Sequence, residues 1–201
     1  MTKRIITISR EFGSGGRTIG RQVAEKLGVG FYDKELVKQV AVKSGLHEDY
    51  IEQNGEYASS KNWLAYAFSS MGTQGVMHGM SMDDFLWAMQ RKVILELAEK
   101  EPCVIVGRCA DYILKDRDDC LNVFVHASME KRADRIVRLY GMSEKTPEKR
   151  LEDKDQKRRV YYKHYTDRVW GMAQNYHLTL DSGLIGIDRC VDMIVDLAQN
   201  T

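Results

Sequence analysis

The chain has 201 residues, 43% of them hydrophobic and 29% charged, which suits a globular fold with a full buried core and excludes a disordered polypeptide. Its 30 basic and 29 acidic side chains leave a formal charge of +1, so the overall charge gives no reason to expect a nucleic-acid partner. No stretch approaches the roughly 20 apolar residues that cross a bilayer, and the first apolar run, residues 5–8, is too short for a secretion signal. A cytoplasmic protein with no membrane partner is expected. The four cysteines, Cys103, Cys109, Cys120 and Cys190, show neither CxxC spacing nor a histidine at metal-ligand spacing, and read as reduced core thiols.

In chain order, residues 4–9 read as a short buried strand that breaks at the glycines of 13–16. From Arg17 the apolar period lengthens. Ile19, Val23, Ala24 and Leu27 share one helical face, and Gly28 suits the C-cap. Residues 29–32 form a second short strand and 33–43 a helix, so the chain opens as a parallel α/β sheet. Residues 46–82 carry glycines, methionines and the aromatics Tyr50, Tyr57, Trp63, Tyr66 and Phe68; they read as short helices and loops, either an insert over a cleft or a plain helical connector. Residues 83–100 form an amphipathic helix with Asp83 and Asp84 at the positive end of its dipole. A third strand at 103–106 closes on Gly107-Arg108, and a fourth follows at 121–125. A basic helix (130–140), a highly charged helix (146–164), a fifth strand (178–180) and a final helix (188–197) complete the pattern. No repeat, linker or low-complexity tract divides it, so residues 1–201 are read as one domain.

The most informative stretch is Ile6-Thr-Ile-Ser-Arg-Glu-Phe-Gly-Ser-Gly-Gly-Arg-Thr18, between strand and helix. A phosphate-binding loop needs glycines that let backbone N–H groups turn inward, a helix N-terminus aimed at the anion, a cation and a hydroxyl for Mg²⁺. Gly13, Ser14, Gly15 and Gly16 supply the loop, Arg17 the cation and Thr18 the metal-binding hydroxyl. Two positions depart from G-x-x-x-x-G-K-[ST]: Glu11 stands where the first glycine belongs, and Arg17, a planar fork, replaces the compact lysine. Arg108 lies at the carboxyl end of strand three, where open α/β sheets place ligands.

The loop, Phe31-Tyr-Asp-Lys34, Cys103-Val-Ile-Val-Gly-Arg108, Val123-Phe-Val-His-Ala-Ser128 with Lys131-Arg132, and Leu180-Asp-Ser182 resemble, in the same order, the cytidylate-kinase-like family. The resemblance implies a P-loop NTPase-type three-layer sandwich: a five-stranded parallel sheet flanked by helices, with a helical monophosphate-binding insert (about 46–82) and a basic lid (about 141–165). It also implies transfer of the γ-phosphoryl group of ATP, with Mg²⁺, to a nucleoside monophosphate, CMP or dCMP; the protein is expected as a monomer or homodimer. That chemistry asks for positioning and positive charge rather than covalent help.

On the same resemblance, Arg108 reaches the acceptor phosphate, and Asp155 orients Arg158 and Arg159 on the transferring group. Arg132 and Arg135 flank the lid beside the donor, and Asp33, Lys34 and Arg91 approach the acceptor, with Gln90 beside them. Solvated charged helices account for the residues of 131–135 and 152–159 equally well, and Tyr161 and Tyr162 either pack the lid or stack on a base. Val106 stands where cytidylate kinases carry an aspartate, with Asp33 and Asp111 as possible substitutes. Two other functions fit these residues: a nucleotide-binding regulator without turnover, and a P-loop kinase acting on another small metabolite.

Overall fold

A computed structural model of the protein describes residues 3–49, 51 and 81–200. Five strands, β1 (Ile5–Arg10), β2 (Gly30–Tyr32), β3 (Cys103–Val106), β4 (Cys120–His126) and β5 (Leu178–Asp181), pair in parallel in the order β2-β3-β1-β4-β5. β1 is central, with Ile8 beside Val106 on one side and Val123 on the other. The helices are α1 (Gly16–Leu27), α2 (Lys34–Ser44), α3 (Met82–Lys100), α4 (Ala110–Ile113), α5 (Met129–Tyr140), α6 (Pro147–Thr166), α7 (Ser182–Ile185) and α8 (Ile187–Asn200).

Because side chains alternate along a strand, the sheet sorts its apolar residues into two cores. Ile6, Ile8, Val104, Val106, Val123 and Val125 pack with Ile19, Val23 and Ala24 of α1 and with Val191 and Ile194 of α8. Ile5, Cys103, Ile105 and Cys120 face the other way, onto Leu36 and Val40 of α2, Val93 and Leu97 of α3, and Leu114. The result is a three-layer sandwich with the carboxyl ends of β1, β3 and β4 side by side. Among the described residues, no helix is long and apolar enough to cross a membrane.

Side-chain caps set several helix starts. Ser81 accepts a hydrogen bond from the Asp84 N–H, Ser128 from Lys131, and Thr146 from Lys149 ahead of Pro147. α1 is different. It begins at Gly15, with no side-chain cap and no acidic residue in its first turn.

The predicted elements and the observed ones agree to within a few residues at each end. The short helices α4 and α7 and a 3-10 turn at Ala173–Asn175 had no counterpart, because a single turn is too short to show a period. Residues 52–80, most of the expected insert, lie outside the described residues. The expected lid corresponds to Gly141, the connector that follows it and nearly all of α6.

Ile8 is fully buried and Val42 is 84% exposed. Ile8→Ala is expected to cost about 2–5 kcal/mol in urea denaturation, whereas Val42→Ala stays within about 0.5 kcal/mol. Similar losses at both positions would contradict this core.

Candidate active site

β1 ends at Arg10 and the chain turns through five residues into α1. The turn is braced from below. Glu11 N–H bonds the Val125 carbonyl (3.0 Å), Ser14 Oγ donates to the Glu11 carbonyl (2.9 Å), and Ser182 Oγ donates to the carbonyls of Ser14 (2.5 Å) and His126 (3.0 Å). Gly15 has φ 85°, and a Cβ at Gly16 would come 2.5 Å from the Arg10 Cβ, so neither position accepts a side chain without strain. The uncapped first turn of α1 faces a cleft of about 520 Å³. An uncapped helix start carries partial positive charge and unmatched N–H donors, which is an anion site.

Charge in the cleft points the same way. Among the described residues, Arg10, Arg17, Arg108, Arg135, Arg150, Lys154 and Arg158 line it, against Glu11 and Asp33. Arg17 Nε lies 2.5 Å from Asp33 Oδ2. Arg158 comes from α6, with Nη1 3.2 Å from the Arg10 carbonyl and 3.4 Å from Asp155 Oδ1. Arg108 sits in a turn where Gly107, Arg108 and Cys109 all have positive φ (75°, 55° and 55°), a left-handed run that side chains adopt only under constraint. Its Nη1 donates to Gln90 Oε1 at 2.8 Å.

Behind the loop lies a buried ion cluster. Asp155, 2% exposed, accepts the Phe12 N–H (2.8 Å) on Oδ1 and Arg132 Nη1 (2.6 Å) on Oδ2. Arg132 also donates to the carbonyls of Ala127 (3.1 Å) and Phe12 (3.2 Å), and its Nε lies 3.3 Å from Glu11 Oε2. Glu11 Oε2 in turn accepts the Ala127 N–H at 3.3 Å. The residue in place of the first loop glycine is therefore tied to an arginine on α5, and Asp155 fastens α6 to the loop backbone. Paired in this way, the buried charges are tolerated; either one alone would be costly.

Of the residues singled out from the sequence, Gly13, Gly15, Gly16, Arg17, Thr18, Asp33, Arg108, Arg135 and Arg158 line the one cleft. Ser14 is buried and braces the loop, while Arg132 and Asp155 lie behind it. Arg159 is not brought there: it lines a separate depression with Trp170, its guanidinium 5.8 Å from the indole centroid. Arg91 is exposed on α3 away from the cleft, and the Lys34 side chain lies outside the described residues. Gln90 is fully buried, so it meets Arg108 rather than a ligand. Tyr161 and Tyr162 are buried too, which is the packing alternative.

Arg10, Arg150 and Lys154 had not been singled out. Arg150, Lys154 and Arg158 are spaced four apart, on one face of α6, and that spacing was a readable signal. Val106 is buried in the α1-side core. Of the two substitute aspartates, Asp33 lines the cleft and Asp111 is buried, accepting hydrogen bonds from Ser9 Oγ (3.2 Å) and Tyr162 OH (2.6 Å). Burial pushes the Asp111 carboxyl above the usual carboxylate range, against the pull of those two bonds. All four cysteines are free and buried; burial holds the Cys103 and Cys120 thiols up at about 12.

Among the described residues no three His, Cys, Asp or Glu side chains converge as a metal cage. Mg²⁺ needs none, since it keeps several waters and takes one or two protein oxygens plus phosphate oxygens. The Thr18 hydroxyl and Asp33, both in the cleft, fit that requirement.

The model of the cytidylate kinase-like family matches residues 5–184 of the chain. A cytidylate kinase of Archaeoglobus fulgidus is 30% identical over 200 residues, covering 96% of this chain and 94% of that protein. An uncharacterized protein of Eubacterium ventriosum has a crystal structure similar over 98% of this chain and 99% of its own, at 27% identity and a TM-score of 0.73. Shikimate kinase from Acinetobacter baumannii, solved with shikimate, is similar over 98% of this chain and 94% of its own at 19% identity and a TM-score of 0.55, a likeness of fold. The architecture is that of the P-loop kinases.

Asp155→Ala leaves Arg132 buried without its nearest carboxylate and is expected to cost roughly 3–5 kcal/mol in chemical denaturation. A loss below about 1 kcal/mol would show that the ion cluster does not hold α6 to the loop. Asp111 gives a second prediction. In the unfolded chain its carboxyl ionises near about 3.9, and in the fold only at higher pH, so stability present in acid is lost as pH rises from about 4. Melting temperatures of wild type and Asp111→Asn should therefore diverge in the variant's favour as pH rises, and parallel curves would count against it.

Proposed function

The chain belongs to the cytidylate kinase-like family, and from that premise we propose that it transfers the γ-phosphoryl group of ATP to a nucleoside monophosphate, with CMP or dCMP as acceptor. One observation carries the reading: among the described residues, the uncapped start of α1 and seven cationic side chains share a single cleft with two carboxylates. Phosphoryl transfer places negative charge on three equatorial oxygens between donor and acceptor, and preformed positive groups on several sides are what lower its barrier.

In this reading the amides of Gly13 to Thr18 and the Arg17 guanidinium grip the donor phosphates, with Arg135 beside them. Asp33 holds one edge of Arg17 and leaves the other edge of the fork for phosphate oxygens. Arg158, brought by α6, meets the group in transit, and Asp155 aims it. Arg108 takes the acceptor phosphate. Arg132, held through Nε and Nη1 by Glu11, Asp155 and two carbonyls, shapes the loop in this reading. Mg²⁺, held by Thr18 and Asp33 with the phosphates, supplies further charge neutralisation when bound.

A coupled assay with ATP, Mg²⁺ and a panel of nucleoside monophosphates is expected to show turnover with CMP and dCMP. Arg108→Ala should lower it by roughly 10²–10³-fold. Thermal stabilisation by ATP with no product on any acceptor would instead make the protein a nucleotide-binding regulator. Turnover confined to other small metabolites would replace the acceptor but keep the donor site.

A further inference from the structure

Arg108, Gln90 and Tyr161 come from three elements, the turn after β3, helix α3 and helix α6, and are only 7%, 0% and 6% exposed. A guanidinium only donates, so Gln90 must turn its carbonyl oxygen to Arg108, and Nη1 meets Oε1 at 2.8 Å. That orientation leaves the Gln90 amide group to donate, and Nε2 meets the Tyr161 hydroxyl at 3.1 Å. The three side chains thus form one directed chain of hydrogen bonds ending on α6. Gln90 brings no charge, so it orients the arginine without cancelling the positive charge that Arg108 presents to the cleft. Three residues before Tyr161, on the same helix, stands Arg158, and three residues before that Asp155.

We propose that Gln90 and Tyr161 are positioning residues: together they aim the Arg108 guanidinium at the acceptor and make that aim depend on the seating of α6, the helix that carries the donor-side Arg158. The inference rests on the proposed function for the role of Arg108, but the hydrogen-bond chain itself does not. A buried glutamine bonded at both ends is costly to replace, and its isosteric apolar substitute would fill the same space. The polar choice therefore serves orientation. Seating α6 on a bound donor would tighten Tyr161 against Gln90, and the acceptor would find Arg108 already aimed; by linkage, acceptor binding would favour the donor equally.

Gln90→Leu is expected to raise the KM for the acceptor about tenfold while the KM for ATP stays within about twofold. Gln90→Glu, which keeps an oxygen for Arg108 but cancels its charge and loses the donor to Tyr161, should not restore the acceptor KM. Tyr161→Phe should leave each substrate's separate affinity close to wild type and remove the gain in acceptor affinity that ATP confers. Equal changes in both KM values, or full rescue by glutamate, would show that the neutral two-ended amide is not what aims Arg108 and overturn the proposal. A second readout needs no substrate: rotation of the Arg108 guanidinium followed by ¹⁵N NMR, expected slow in the wild type and fast in Gln90→Leu. If the wild type phosphorylates no monophosphate, the proposed function fails by itself and this arm decides; the same rotation rate in both proteins overturns the inference.

Discussion

A helix that starts without a capping side chain keeps amide hydrogens unmatched at its positive end, and α1 starts in this way at Gly15, beneath a cleft that already gathers seven cationic side chains. Like charges held this close repel one another, and the carboxylates behind and beside them offset that repulsion. The rest of the architecture serves that helix start. β1 occupies the centre of a fully covered sheet and delivers the loop to the carboxyl edge, between β3 and β4. The packing of Ile19, Val23 and Ala24 under the sheet fixes the direction in which the helix dipole points.

Two buried arginines near this point are treated in opposite ways. Arg132 is matched by Asp155 and Glu11 and by two backbone carbonyls, so its charge is spent inside the protein and what it provides is shape. Arg108 is held at Nη1 by a neutral glutamine and lines the cleft, so that bond directs its charge without reducing it. The distinction explains how Glu11 can stand where phosphate loops ordinarily have glycine. Its carboxylate, repulsive toward phosphate if free, is tied down by Arg132 and the Ala127 N–H. Asp155 then links this support to α6, so the loop and the helix that covers it share one buried charge cluster.

Much of this was legible in the residues. The shift from a period of two to one of 3.6 around Gly13–Gly16 located strand, loop and helix, and the arginine after Gly107 marked the edge of the cleft. Less legible was which member of a charge run faces inward. Arg158 and Arg159 are adjacent in sequence, yet a helix turns successive residues by about 100°, so one reaches the cleft and the other lies over Trp170. Asp33 and Asp111 were equal candidates as carboxylates; burial beneath Tyr162 removed Asp111 from the cleft.

The sequence by itself determined the class of the fold, the place of the phosphate loop and the residue types that line it, because these follow from short-range periodicity, from glycine's freedom at positive φ and from spacing along one chain. Only the tertiary structure decided which partner each of these charged groups meets. Glu11 with Arg132, Arg132 with Asp155, and Arg108 with Gln90 join residues that are 121, 23 and 18 positions apart. Whether a buried arginine meets a carboxylate or a neutral amide depends on which neighbour the packed helices bring within about 3 Å, a distance that no local pattern encodes.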